Sequence, residues 1–207
     1  MTIQPPGLLA AAAVLLLFAA ASGEAAKPAA PGKVRVNMVT SDGPILIELE
    51  AKRAPITTSN FLRRGDGKLF DGTSFYRAAR AKGSPRTGFI QGGVNGDPMR
   101  WAPPFAHEPT TKTGLHHGDG TISMARSQPG TAQGEFFLIV GAAPSMDAHP
   151  KAKGDNAGYA AFGHVVTGMD VVRRILASPT DPKAGSGAMH GQWIKAPVKI
   201  ISIRRVP

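Results

Sequence analysis

Apolar and polar positions alternate with a period of two in short runs along most of the chain, the mark of strands with one buried face. Residues 33–50, KVRVNMVTSDGPILIELE, hold two such runs joined across Asp42-Gly43. Val34, Val36 and Met38 share one face of the first run, and Ile45, Ile47 and Leu49 share one face of the second. That arrangement predicts a β-hairpin. Further short strands are expected at 73–78, 87–93, 120–126, 135–140, 159–166 and 198–206. The period changes twice. Pro55 sits where the first turn of a helix can begin, and TTSNFLRRG continues it to a stop at Gly65. Ile56, Asn60 and Phe61 of that helix are expected to pack rather than react. Met169, Val172, Ile175 and Leu176 form the stripe of a second helix. About eight strands and two helices fit a closed antiparallel barrel plugged by helices, which removes exposed edges. Periodicity alone also admits a β-sandwich.

Composition supports one domain of many short elements. The chain has 207 residues, with 25 glycines and 18 prolines to supply turns. No internal repeat is visible, and the folded domain is expected over 33–207. Net charge is +10, from 24 Lys and Arg against 14 Asp and Glu. The basic residues are scattered in pairs, without a stripe interleaved by aromatics, so they read as a solvated surface and no specific nucleic-acid partner is expected. Cysteine is absent, which excludes a disulfide, a thiolate nucleophile and a cysteine metal site.

The N-terminus bears on location. LLAAAAVLLLFAAA, residues 8–21, is an apolar run short for a membrane span, and Ala19 with Ala21 fits a small-x-small cleavage pattern. Residues 1–21 are expected to be a signal peptide cut after Ala21, giving a periplasmic or secreted protein. Membrane contact is expected only if that segment stays uncleaved. Residues 22–32, SGEAAKPAAPG, are expected to be a disordered linker.

Most chemistries find no footing. The six histidines form neither an HExxH pattern nor a compact cluster with carboxylates, so no metal site is expected. ISMAR and GTSF lack the GxSxG form of a nucleophile elbow, and GVNGDP has no lysine in the P-loop position. Asp97, Glu108, Asp119 and Glu135 show no pairing that demands glycoside chemistry, and read as turn or surface carboxylates. No cofactor is implied. What remains is a group of apolar and amide residues around one arginine, in TSFYRAARAKGSPRTGFIQGG.

FDGTSFYR, GFIQGG, GTISMAR, GEFFLIV and YAAFGHVVTGMDVV, in that order, closely resemble the cyclophilin-type peptidyl-prolyl cis-trans isomerases. The resemblance runs from about residue 34 to residue 205 and implies the family's eight-stranded antiparallel barrel capped by two helices. It implies a catalytic group of Arg77, Phe89, Gln91 and Phe137, with Ala125 and Arg126 from the SMA block at the substrate. Phe136 and Phe137 must point to opposite sides of their strand, and the resemblance selects Phe137 for the pocket. Met124 is expected to flank the pocket, Met146 to line it, and Tyr159 to supply an aromatic wall.

The implied activity is rotation about X–Pro bonds in client polypeptides, with no cofactor and a monomeric enzyme. The alternative is a chaperone module that grips proline segments without turnover. Three departures from the family pattern stand out. AARAKGSPRTG separates Arg77 from Phe89, an insertion of roughly seven residues expected to loop into solvent beside the pocket. Glu135 stands where glutamine is common, and a salt bridge from it to Arg77 is expected. The usual pocket tryptophan has no clear counterpart, with Ser145 or Met146 in its region and Trp193 too late in the chain to replace it.

Overall fold

The computed structural model describes residues 29–206 except 96 and 102. The expected signal peptide and most of the expected linker lie outside the described residues. The strands are β1 (Val34–Thr40), β2 (Gly43–Leu49), β3 (Thr73–Ala81), β4 (Ser84–Gly93), β5 (Thr121–Met124), β6 (Glu135–Val140), β7 (Ala160–Thr167), β8 (Thr180–Asp181) and β9 (Trp193–Val206). Helices are α1 (Pro55–Asp66), the single turn α2 (Thr110–Thr113) and α3 (Met169–Ala177).

The sheet runs β1-β2-β7-β5-β6-β4-β3-β9, and β9 pairs back onto β1. Those eight antiparallel strands close a barrel, which decides against the sandwich. The two-residue β8 adds only to β9. The first hairpin forms as expected, except that Thr40 pairs with Gly43, so Ser41 and Asp42 make the turn. Thr40 stabilises it through its hydroxyl, which accepts from Asp42 N at 3.1 Å and donates to Gly43 O at 2.7 Å.

Alternation along the strands delivers the core. Val36, Met38, Ile45, Ile47 and Leu49 are buried together with Phe75, Phe136 and Phe162. From α1, Phe61 reaches this interior and lies 5.0 Å from Phe70, 5.3 Å from Phe162 and 5.5 Å from Phe136, ring centre to ring centre. Val172, Ile175 and Leu176 of α3 are buried in the same core, with Met169 packed against it. The helices thus cap the barrel by inserting apolar side chains that no strand could supply.

Two elements depart from the expected pattern. β9 begins at Trp193 rather than at 198, because its first residues pair with β8 and β3 while its last pair with β1. Pro197 and the polar Lys195 obscured that start. The insertion between Arg77 and Phe89 is not a loop but an extension of the β3–β4 hairpin, in which Ala79 faces Phe89 and Ala81 faces Ser84. Lys82 and Gly83 turn the chain, with Gly83 at φ 77°, and the register shifts between Arg80 and Ala81, where Pro85, Arg86 and Thr87 bulge from the ladder.

Glu108 is a buried helix cap rather than a surface carboxylate. Ala54, which precedes α1, has no capping side chain. Glu108 instead accepts from Ile56 N at 3.2 Å, Thr57 N at 2.7 Å and the Thr57 hydroxyl at 2.7 Å. A carboxylate at this end also meets the positive pole of the helix. Glu108→Ala is expected to cost about 2 kcal/mol, since it orphans first-turn donors in a dry site. Urea denaturation measures this, and an unchanged midpoint would show that water replaces the carboxylate.

Candidate active site

The register of three adjacent strands builds the site. Arg77 of β3 faces Gln91 of β4, and Gln91 faces Phe137 of β6, so three working side chains lie in one cross-strand row. Phe89 lies two residues before Gln91 and shares its face. A bulge in β3 between Phe75 and Arg77 interrupts the alternation. Phe75 points into the core, and the extra residue lets both Tyr76 and Arg77 serve the outer side. The glycines of GFIQGG answer to closeness: a Cβ on Gly92 would lie 2.8 Å from Ser74 O, and one on Gly93, at φ 137°, 2.3 Å from Gly134 O.

A cavity of about 340 Å³ opens at this row. Arg77, Phe89, Gln91, Ala125, Arg126, Phe137, Met146 and Tyr159 line it, joined by Ala188 and Met189. Phe137 stands at its centre, 5.3 Å from the Phe89 ring and 5.4 Å from Tyr159, which meets it edge-on at 89°. Behind it, His117 stacks at 6.1 Å. His117 Nδ1 lies 2.6 Å from Asp147 Oδ1 and Nε2 lies 2.9 Å from the Ser123 hydroxyl. Burial holds His117 below its ordinary value of 6.5, against the pull of Asp147. The neutral ring therefore donates to Asp147 and accepts from Ser123, which ties the segment after Met146 to the back wall.

Arg77 is fixed from three directions. Its Nε donates to Gln192 Oε1 at 2.8 Å, a terminal nitrogen donates to Gln91 Oε1 at 2.7 Å, and the guanidinium lies 5.0 Å over Phe89. Burial pulls its pKa below the ordinary guanidinium value, yet a guanidinium keeps its charge in proteins. Among the described residues no carboxylate pairs with it. The salt bridge expected from Glu135 does not form, because Glu135 is taken by the Tyr76 hydroxyl at 2.5 Å and Asn95 N at 2.6 Å. Burial and that carboxylate push the Tyr76 hydroxyl far up, so it remains protonated.

Met124 is a correction. It faces Phe136 across β5 and β6 and is buried in the core, so it does not line the cavity. Residues directly opposite share a face, and Phe136 had already been assigned inward. Arg126 lines the cavity, but its side chain is engaged elsewhere. It donates to Gly158 O at 3.0 Å, pairs with Asp155 at 2.7 Å and lies 5.0 Å over Tyr159. It buttresses the Tyr159 wall. Gln192 and Met189 were not foreseen, since both come from the segment before β9, about as far from Arg77 in sequence as this domain allows. Trp193 does not line the cavity and lies against Tyr76 at 5.1 Å, tilted by 32°.

The family of cyclophilin type peptidyl-prolyl cis-trans isomerases matches residues 35–205. A peptidyl-prolyl cis-trans isomerase of Acinetobacter baylyi is 37% identical over 173 residues, 82% of this chain and 84% of the relative. Peptidyl-prolyl cis-trans isomerase A of Dickeya dadantii is 33% identical over 158 residues, 74% and 76% of the two chains. A Cryptosporidium parvum cyclophilin type isomerase, crystallised in the presence of the dipeptide Ala-Pro, shares the fold at a TM-score of 0.66 and 20% identity. That comparison covers 84% of this chain and 99% of the other. A closed barrel with an aromatic-lined cavity and a half-buried arginine, Arg77, beside Phe89 and Phe137 agrees with these matches, and the chain belongs to the cyclophilin-type peptidyl-prolyl cis-trans isomerases.

Removing Gln192 tests how firmly the arginine must be held. Gln192→Ala is expected to lower kcat/KM about tenfold, the worth of one charge-assisted hydrogen bond. Isomerisation of an Ala-Pro peptide followed by NMR exchange reads it. An unchanged rate would show that Gln91 and Phe89 suffice.

Proposed function

We propose that Arg77, Phe89, Gln91 and Phe137 are the catalytic group of this isomerase. The observation that carries the reading is a cavity in which a partly desolvated guanidinium faces an aromatic hollow. Rotation about X–Pro must cross a barrier of about 18–20 kcal/mol set by amide conjugation. No bond breaks, so the site has only to bind the twisted amide better than either planar form. Phe89 and Phe137, with Met146 and Tyr159, hold the proline ring by shape and apolar contact. As conjugation is lost, a lone pair localises on the prolyl nitrogen. Arg77 donates toward the prolyl carbonyl and its field favours that lone pair, with little reorganisation because its other nitrogens are already held. Gln91 orients Arg77, while Ala125 and Arg126 border the path of the extended client.

Arg77→Ala is expected to reduce kcat/KM about a hundredfold or more, with peptide binding weakened far less. NMR exchange on a short X–Pro peptide, paired with titration calorimetry, separates the two. A wild-type protein that binds the peptide without accelerating it would favour the chaperone module that grips proline segments.

We further infer an exported, monomeric member acting on proline-containing clients outside the cytoplasm of a bacterium. The apolar run at 8–21 and the small residues Ala19 and Ala21 support this. Expressed in a bacterial host, the protein is expected in the periplasmic fraction, beginning after Ala21 by intact mass and monomeric by light scattering. Recovery of the full-length chain from membranes would overturn cleavage, and recovery from the cytosol would overturn export.

A further inference from the structure

Glu135 takes no part in the reaction just described, yet a chain of hydrogen bonds runs from it to the catalytic arginine. Asn95 N donates to its Oε1 at 2.6 Å, and the Tyr76 hydroxyl donates to its Oε2 at 2.5 Å. Gln91 Nε2 donates to the Tyr76 oxygen at 2.7 Å. Arg77 donates to Gln91 Oε1 at 2.7 Å. Each link constrains the next. An ionised carboxylate has no proton to give, so Tyr76 must direct its one proton to Glu135. The phenol oxygen can then only accept from Gln91, and must meet the NH2 end of the amide. The amide oxygen is thereby turned to Arg77. A reversed amide would set two N–H donors against a guanidinium.

We propose that Glu135 is a positioning residue: its carboxylate sets the direction of this hydrogen-bond chain and so fixes the face that Gln91 presents to Arg77. The inference rests on Arg77 as the catalytic donor. It also gives the acid a purpose other than the absent salt bridge. A glutamine at 135 can either accept from Tyr76 or donate to it, and leaves the direction open.

Protonation of Glu135 does the same. Tyr76 on β3, Gln91 on β4, Asn95 N beyond β4 and Arg64 on α1 act on it directly, and Arg126, Ser127, Thr131 and Gln133 from the segment between β5 and β6 line the recess it shares. Burial raises its pKa above the ordinary 4.5, opposed by the bonds from Tyr76 and Asn95 N, by the neighbouring Gln91 amide and by the charge of Arg64. With a raised pKa, the ionised form, and the fixed direction with it, is lost as pH falls through a value above 4.5. The acid limb of kcat/KM should therefore belong to Glu135.

The test is NMR exchange on an Ala-Pro peptide from mildly acid to mildly alkaline pH, with wild type, Glu135→Gln, Tyr76→Phe and the double variant. Expected are an acid limb in the wild type, its disappearance in both single variants, and a plateau about fivefold lower in each. The double variant should be no worse than either single, because the two residues act through one chain. An acid limb that persists in Glu135→Gln, or additive losses in the double variant, would overturn the proposal. The wild type alone supplies a second readout should a variant misfold. Its Gln91 amide and Arg77 Nε resonances should shift together with the acid limb, and resonances that stay fixed would also sink the idea. Arg77→Ala keeps the two readings apart. If it leaves the rate intact, the catalytic assignment itself fails; if it abolishes the rate while Glu135→Gln changes nothing, only the positioning role fails.

Discussion

A strand in the wall of a barrel can send only every second side chain outward, and the site depends on how β3, β4 and β6 use that allowance. Inward positions go to Phe75, Ile90, Phe136 and Leu138, whose burial closes the core. Outward positions then place Arg77, Gln91 and Phe137 in one row by strand register. One bulge at Tyr76 adds a second polar residue to the outer side of β3. The hydrogen-bond chain from Glu135 to Arg77 exists only because of that extra residue. Core and site are two faces of one register, so a slip of one residue would exchange them.

Such a wall suits a reaction that needs electrostatics rather than bond making. The dominant cost is desolvation of a guanidinium with no anion beside it, and the structure meets that cost with two amide oxygens and an aromatic face. A carboxylate on Arg77 would satisfy it better and serve the reaction worse, since the charge would already be spent in the ground state. Glu135 is nearby but is kept one tyrosine and one glutamine away. The distance matters: the acid organises the donor without neutralising it.

The strands and their faces were legible in the sequence because period-two burial writes itself locally. Phe136 and Phe137 illustrate this, for alternation alone required one of them to be core. Met124 shows the limit. Its strand β5 is buried on both sides, with Thr121, Ile122, Ser123 and Met124 all inaccessible, so no alternation marks which residues face the cavity. Gln192 was invisible for another reason. Its role depends on β9 bringing residue 192 beside β3, and nothing in the sequence around it, HGQW, encodes a partner far away. Glu108 capping α1 is the same case, a local need met from a distant position where a solvent-exposed reading was the natural default.

The long excursion between Arg77 and Phe89 shows how an insertion can leave a site undisturbed. As a flexible loop it would have placed its mobility at the two residues that must share a cavity. As a hairpin it continues the ladder that aligns them through Ala78–Ile90, Ala79–Phe89 and Arg80–Gly88, and only beyond that does Pro85–Thr87 bulge out of register. Its outer part is also tied down. Arg80 donates to Leu176 O at 2.9 Å and to Ser178 O at 2.5 Å, at the C-terminal end of α3. A guanidinium there satisfies carbonyls that the helix leaves open and meets the negative pole of its dipole. The hairpin therefore stabilises the cap of the barrel while the cap stabilises the hairpin. The segment expected to loop into solvent beside the pocket is instead held by strand pairing and by the end of α3.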